Sequence, residues 1–420
     1  MNRRLLTILS GAAVAVVLVV TVCVAVHKCS ATGDGITDTE TVVNPLPIDT
    51  LLRRNLDEFA HQKRVEGNFA FHVFDVTAEK PVYGYNETMA LPSASCMKLL
   101  SGIAGLHLLG IDYRYETKMM TRGKMAADGM LNGDIAFVAG LHPQLMEADL
   151  TPLAQKLKNS GIRKLSGKLY VDLIIDEPVK CEEHWFPWDL SFSRYGLLYK
   201  GEQRIVRALR ASLRAQGIAV ADSQVTVQPV PQGFKTIASA SLSIDEVIKR
   251  MWKNSSNTQS TSLLYTIGHA IDSTQDPVKT GVRYMNEFLR QEVGVSDSTI
   301  VIHDGCGLCT HNRLTPQSLT SILYYGYKDE KIRESLMRNL SVAGVDGTLA
   351  REMTGPRIRG KVWAKTGTLS HPYGISTLAG FCKGADGHWL AFAVMSSEMS
   401  VLDARVLQRK LCEMLNLHTD

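Results

Sequence analysis

Residues 69–76 (Phe-Ala-Phe-His-Val-Phe-Asp-Val) alternate as a strand does, and a polar turn at 77–80 leads to a second strand at 81–85. The pair predicts a β-hairpin. Leu91-Pro92-Ser93-Ala94 then delivers the chain into 95–109, an apolar helical stretch that sets Ser95 at a helix N-terminus. There, backbone N–H groups and the helix dipole favour developing negative charge. From about Lys124 to Ala238 the texture changes to short strands (135–138, 168–173, 224–230) and two helices that end in glycine (153–161, 205–217). That segment reads as an inserted α/β domain. Ser243-Ile244-Asp245-Glu246 has the form of a capping box and opens a helix to about Lys253. Another helix is predicted over 260–269, which places Ser255-Ser256-Asn257 on a helix–helix connection. Residues 359–365, 376–383 and 388–396 predict three antiparallel strands, and 403–415 a closing helix.

The N-terminus departs from this globular texture. Arg3 and Arg4 precede an uncharged apolar run over 5–26, followed by His27-Lys28. The run exceeds the roughly 7–15 residues of a signal-peptide core and approaches the ~20 that span a bilayer. It is expected to be an uncleaved membrane anchor within an N-terminal segment 1–30, a cleaved signal being the alternative. Either way the basic end stays inside and the rest is exported. Residues 31–48, rich in Gly, Asp, Thr and Pro, read as a linker. The expected domains are then 49–122 with 239–420, interrupted by the insert at 123–238.

Composition changes little. With 420 residues, 45% hydrophobic and 21% charged, the chain is an ordinary globular protein. A formal net charge of +4, without a dense basic cluster, gives no reason to expect nucleic acid as a partner. Of eight cysteines one lies in the apolar run, and the other seven are irregularly spaced, which is no disulfide framework. Cys306 and Cys309 form a CxxC, but no second pair or His cluster completes a zinc site, so neither metal nor cofactor is expected.

Three short motifs carry the chemistry: Ser95-Cys96-Met97-Lys98, Ser255-Ser256-Asn257 and Lys365-Thr366-Gly367. Each occurs often by chance, but their order and their helix, loop and strand contexts together mark an active-site serine enzyme of the penicillin-recognising type. Ser95 and Lys98, at i and i+3, share a helix face. A serine hydroxyl needs a neighbouring base, and Lys98 serves only if burial and other cations such as Lys365 lower its pKa. Ser255 suits a proton relay to a leaving amine, and Asn257 a substrate amide. Lys365, with Thr366 and Thr368, suits a substrate carboxylate, while Gly367 lets a peptide lie along the strand. The N–H groups of Ser95 and Thr368 are the expected oxyanion hole.

On these motifs the chain resembles the D-alanyl-D-alanine carboxypeptidase/endopeptidases, the class C low-molecular-mass penicillin-binding proteins. The resemblance runs from about Asp49 to the C-terminus. It includes Leu131-Asn132-Gly133-Asp134, Gly167 to Asp172, Trp185-Phe186-Pro187-Trp188-Asp189, the loop from Asp304 to Pro316, and Ala343 to Leu349. It implies a β-lactamase/transpeptidase-like fold, with helices packed on an antiparallel sheet and a smaller α/β insert. It further implies a Ser95 acyl-enzyme that acts on peptidoglycan stem peptides, is inhibited by β-lactams, and works on the outer face of the cytoplasmic membrane or in the periplasm. The third domain usual after Trp188-Asp189 is missing. Cys306 and Cys309 stand for serines, His142 for an aspartate, and Thr310 for a substrate-facing arginine. His371-Pro372-Tyr373 lengthens the loop after Lys-Thr-Gly. Thr310 is therefore a candidate specificity residue. A serine β-lactamase or esterase and a non-catalytic wall-binding scaffold are the competing classes. No deacylating glutamate is evident between the first two motifs, and intact Ser95, Lys98, Asn257 and Lys365 argue against the scaffold.

Overall fold

The computed structural model describes residues 50–416, apart from 65, 181, 183, 187–194 and 371–373. The apolar run 5–26, the linker and the His371-Pro372-Tyr373 insertion lie outside the described residues. Among the described residues no helix is long and apolar enough to cross a membrane.

The hairpin predicted at 69–85 forms, as Asn68–Asp75 paired antiparallel with Lys80–Tyr85. It is the edge of a six-stranded antiparallel sheet. The spatial order is Ser341–Val342, Val362–Leu369, Ile375–Lys383, Trp389–Ser397, Asn68–Asp75, Lys80–Tyr85. The last three strands expected from sequence are the second to fourth of this sheet. The central strand Ile375–Lys383 is buried at every position but its last, because helices cover both faces. Side chains alternate between two cores as the pleat requires. Phe71, Val73, Leu378 and Phe392 pack with the helices Thr50–Ala60 and Val401–Leu415. Ala70, Ala379, Phe381 and Met395 face the other core, with the helices Met97–Leu109 and Pro316–Lys328. This is the expected helix-on-antiparallel-sheet fold.

A second sheet, built in part by the expected insert, has the order Val225–Val227, Leu169–Asp172, Met130–Val138, Arg114–Met125, Lys235–Ser243. It is mixed: the first three strands run parallel, and Arg114–Met125 is antiparallel to both its neighbours. The sheet thus starts at Arg114 and ends at Ser243, outside the expected limits 123–238. Its two long flanking strands were not legible because charged and small residues alternate there with a buried face that is partly polar. Thr117 is such a buried position, its hydroxyl donating to the Ala139 carbonyl at 2.6 Å.

The capping box is real: Ser243 Oγ accepts from the Glu246 N–H and opens the helix Ile244–Lys253. A short connection then leads to Asn257–Ile271, so Ser255 and Ser256 lie between helices and Asn257 begins the second.

Candidate active site

The Ser95 segment differs in detail from the predicted helix. Residues Ala94–Cys96 form a 3₁₀ turn, and the α-helix starts at Met97. Ala94 is held at φ 41°, in the left-handed region. Gly307, itself at φ 80°, supports it closely: a Cβ there would lie 1.8 Å from the Ala94 carbonyl oxygen. The helix Met97–Leu109 is buried from Met97 through Leu106, which fixes Lys98 inside the protein rather than on a surface.

On the other side stands the strand Val362–Leu369. A Cβ on Gly367 would lie 2.1 Å from Thr377 Oγ1 and 3.0 Å from the Ser95 backbone nitrogen. Close approach, not φ, therefore demands glycine here. The strand Ser341–Val342 pairs with Trp363 and Ala364 alone, so among the described residues no strand covers the outer edge beyond them.

All three motifs meet. Lys98 Nζ lies 2.9 Å from Ser95 Oγ, 2.8 Å from Asn257 Oδ1 and 2.6 Å from the Cys306 carbonyl oxygen. Two of these partners only accept, whereas the Ser95 hydroxyl can donate. A neutral amine fills this site completely, with two N–H groups on two oxygens and its lone pair on the Ser95 O–H. Lys365 Nζ donates to Ser255 Oγ at 2.7 Å and to the Thr366 carbonyl at 2.5 Å. Ser255 is held at φ 56°, a second left-handed non-glycine residue at the site.

Both lysines are fully buried. Burial lowers the Lys98 pKa. Burial, and then the charge of Lys98, bring Lys365 down to about 7. The repulsion is mutual, so a proton on either lysine disfavours a proton on the other.

Ser95, Ser255, Thr366 and Thr368 line a cleft of about 710 Å³, with Lys98, Asn257 and Lys365 behind them. Thr310 is not among the residues that line it. Its carbonyl accepts from Arg313 at 2.6 Å, and Arg313 also donates to the Asn312 carbonyl. Sequence reading missed Thr348, which accepts from Thr366 Oγ1 at 2.8 Å, and Arg405 and Arg409 of the closing helix, which also line the cleft.

Asp304 organises the loop behind Lys98. Its carboxylate accepts from the backbone N–H groups of Cys306, Gly307 and Cys309, from Asn312 Nδ2 and from Trp185 Nε1 at 2.7 Å. Cys306 and Cys309 are free, buried thiols.

A serine–lysine pair under an antiparallel sheet, faced by a Lys-Thr-Gly strand, defines an active-site serine enzyme of the penicillin-recognising fold. The chain belongs to the D-Ala-D-Ala carboxypeptidase 3 (S13) family, whose model matches residues 52–195 and 198–417. It is 22% identical to the D-alanyl-D-alanine carboxypeptidase DacB of Haemophilus influenzae, over 79% of this chain and 86% of that protein. It is 23% identical to the D-alanyl-D-alanine carboxypeptidase of an Actinomadura species, over 83% and 81%. Among solved structures, penicillin-binding protein 4 of H. influenzae superposes with a TM-score of 0.71 at 20% identity, covering 85% of this chain and 99% of that one. A predatory endopeptidase of Bdellovibrio bacteriovorus gives 0.57 at 18%, covering 84% and 94%.

Proposed function

We propose that this protein is a penicillin-sensitive serine D-Ala-D-Ala carboxypeptidase/endopeptidase of peptidoglycan stem peptides, with Ser95 as the acylated residue. The observation that carries the reading is the lysine cage: Lys98 Nζ, 2.9 Å from Ser95 Oγ, with its remaining contacts on two pure acceptors.

The stem peptide lies along the open edge of the strand at 366–368, its terminal carboxylate on protonated Lys365 and the Thr366 and Thr368 hydroxyls. Ser95 Oγ attacks the carbonyl carbon of the scissile bond as its proton passes to Lys98 Nζ. The oxyanion that forms accepts from the N–H groups of Ser95 and Thr368. The intermediate collapses to an ester on Ser95, the C–N bond breaks, and the leaving amine takes the proton that Lys98 accepted, relayed through Ser255, which leaves Lys98 neutral again. Asn257 orients the peptide amide and Lys98. Water then attacks the ester, losing its proton to the same lysine, and Ser95 is regenerated. When the leaving amine is D-Ala the step is a carboxypeptidase cleavage, and when it belongs to a neighbouring stem it opens a cross-link. A β-lactam follows the same path to a stable ester.

The run over residues 5–26 anchors this activity to the outer face of the cytoplasmic membrane. Mass spectrometry of muropeptides incubated with the full-length protein tests the reading. Loss of terminal D-Ala or conversion of cross-linked dimers to monomers supports it. Unchanged muropeptides, from protein that a fluorescent penicillin does label, would leave a β-lactam-binding scaffold instead.

A further inference from the structure

Three histidines meet at one place on the surface, away from the catalytic cleft. His184 precedes Trp185, while His303 and His311 flank the Asp304 loop. The ring centres of His184 and His303 lie 4.9 Å apart, those of His184 and His311 4.3 Å, and those of His303 and His311 6.3 Å. The ring planes stand at 85°, 57° and 75° to one another, a fan rather than a stack. Three imidazoles bound to one tetrahedral ion through ~2.0 Å bonds hold their ring centres ~5 Å apart, so the observed spacings bracket that geometry. His184 and His303 also line a pocket of about 370 Å³ together with Glu182, a carboxylate able to fill the fourth position. Lys279 and Arg283 line it too, and Arg283 faces Glu287 at 4.0 Å.

From this we propose that His184, His303 and His311 form a binding site for a divalent transition-metal ion of the zinc class, with Glu182 or water as fourth ligand. Neutral imidazoles with one carboxylate suit such an ion and not Ca²⁺ or Mg²⁺, which take oxygen. Binding requires the rings to turn their nitrogens inward. Among the described residues only Asp75, Asp386 and His388 already hold ligand atoms within 4.8 Å of one another. That trio is committed elsewhere: Asp75 accepts from the Thr77 and Ala78 N–H groups and from His388 Nδ1, and Asp386 from the His388 N–H. A metal on the three histidines would pin His184 to loop 303–311, beside the place where Trp185 bonds Asp304 and packs with Cys306, Leu308 and Cys309. Its role is structural, and no catalytic step passes through it.

Zinc titration of chelator-treated full-length protein in detergent, followed by calorimetry and by elemental analysis after desalting, tests the site. One equivalent is expected to bind and to raise Tm. His184→Ala, His303→Ala and His311→Ala should each weaken binding by about 100-fold or more, as loss of a first ligand does. His61→Ala, an exposed histidine elsewhere, should leave it unchanged. His311 is itself exposed, so His311→Ala removes no side chain from the core. Fluorescent-penicillin labelling of the metal-free variants verifies the fold independently. The proposal is overturned if no zinc is retained, or if zinc binds equally well to all three variants.

Discussion

At the residue scale, two buried lysines meet the cleft from the first and last of the three motifs. With Lys98 as the proposed proton acceptor for Ser95, Lys98→Ala should slow penicillin acylation by ~10²-fold or more, the usual effect of losing a general base. Stopped-flow labelling measures it, and a variant that acylates at the wild-type rate would remove Lys98 from the mechanism. Lys365 carries a prediction in pH. Its pKa is lowered to about 7, so its proton is lost from the empty cleft as pH rises through that value, and the partner for a substrate carboxylate goes with it. For carboxylate-bearing peptides kcat/KM should therefore fall as pH rises above about 7, mainly through KM. A profile flat from pH 6 to about 9 would show that Lys365 does not titrate there. Much of this site was legible because Ser95, Lys98, Ser255, Asn257 and Lys365 sit in three short runs whose residue types fix their chemistry. What completes the cage is the Cys306 carbonyl oxygen, and a backbone carbonyl has no sequence identity to read.

At the element scale the Asp304 loop positions the machinery. One carboxylate gathers three backbone N–H groups, an asparagine amide and the Trp185 indole. That arrangement aims the Cys306 carbonyl at Lys98 and seats Gly307 under Ala94. Trp185→Phe keeps the ring but removes one bond to the charged group, which should cost about 1.5–3 kcal/mol in urea unfolding. It should also slow acylation, and an unchanged acylation rate would separate this loop from the catalytic lysine. Elements with strong local grammar were readable, such as the hairpin at 68–85 and the capped helix Ile244–Lys253. The strands Arg114–Met125 and Lys235–Ser243 were not, since their outward positions carry charged or small residues that mask the pleat. The helix Pro277–Gln291 passed unread although Asp276 caps it and Pro277 occupies its first turn. The tight cluster of His184, His303 and His311 likewise depends on a long-range contact that no local spacing encodes.

At the scale of the whole molecule, the sheet with helices on both faces is a rigid frame that brings runs far apart in sequence to one cleft. The apolar run 5–26 adds a prediction about the intact chain. Full-length protein should appear in membranes and be released only by detergent, and N-terminal sequencing from that fraction checks it. A mature start near Thr32 would mean a cleaved signal. Whether Ser95 is the nucleophile is decided by peptide mass spectrometry after reaction with benzylpenicillin. A penicilloyl adduct is expected on the peptide carrying Ser95, and no adduct in Ser95→Ala. An adduct on any other residue, or labelling that survives Ser95→Ala, would contradict that role.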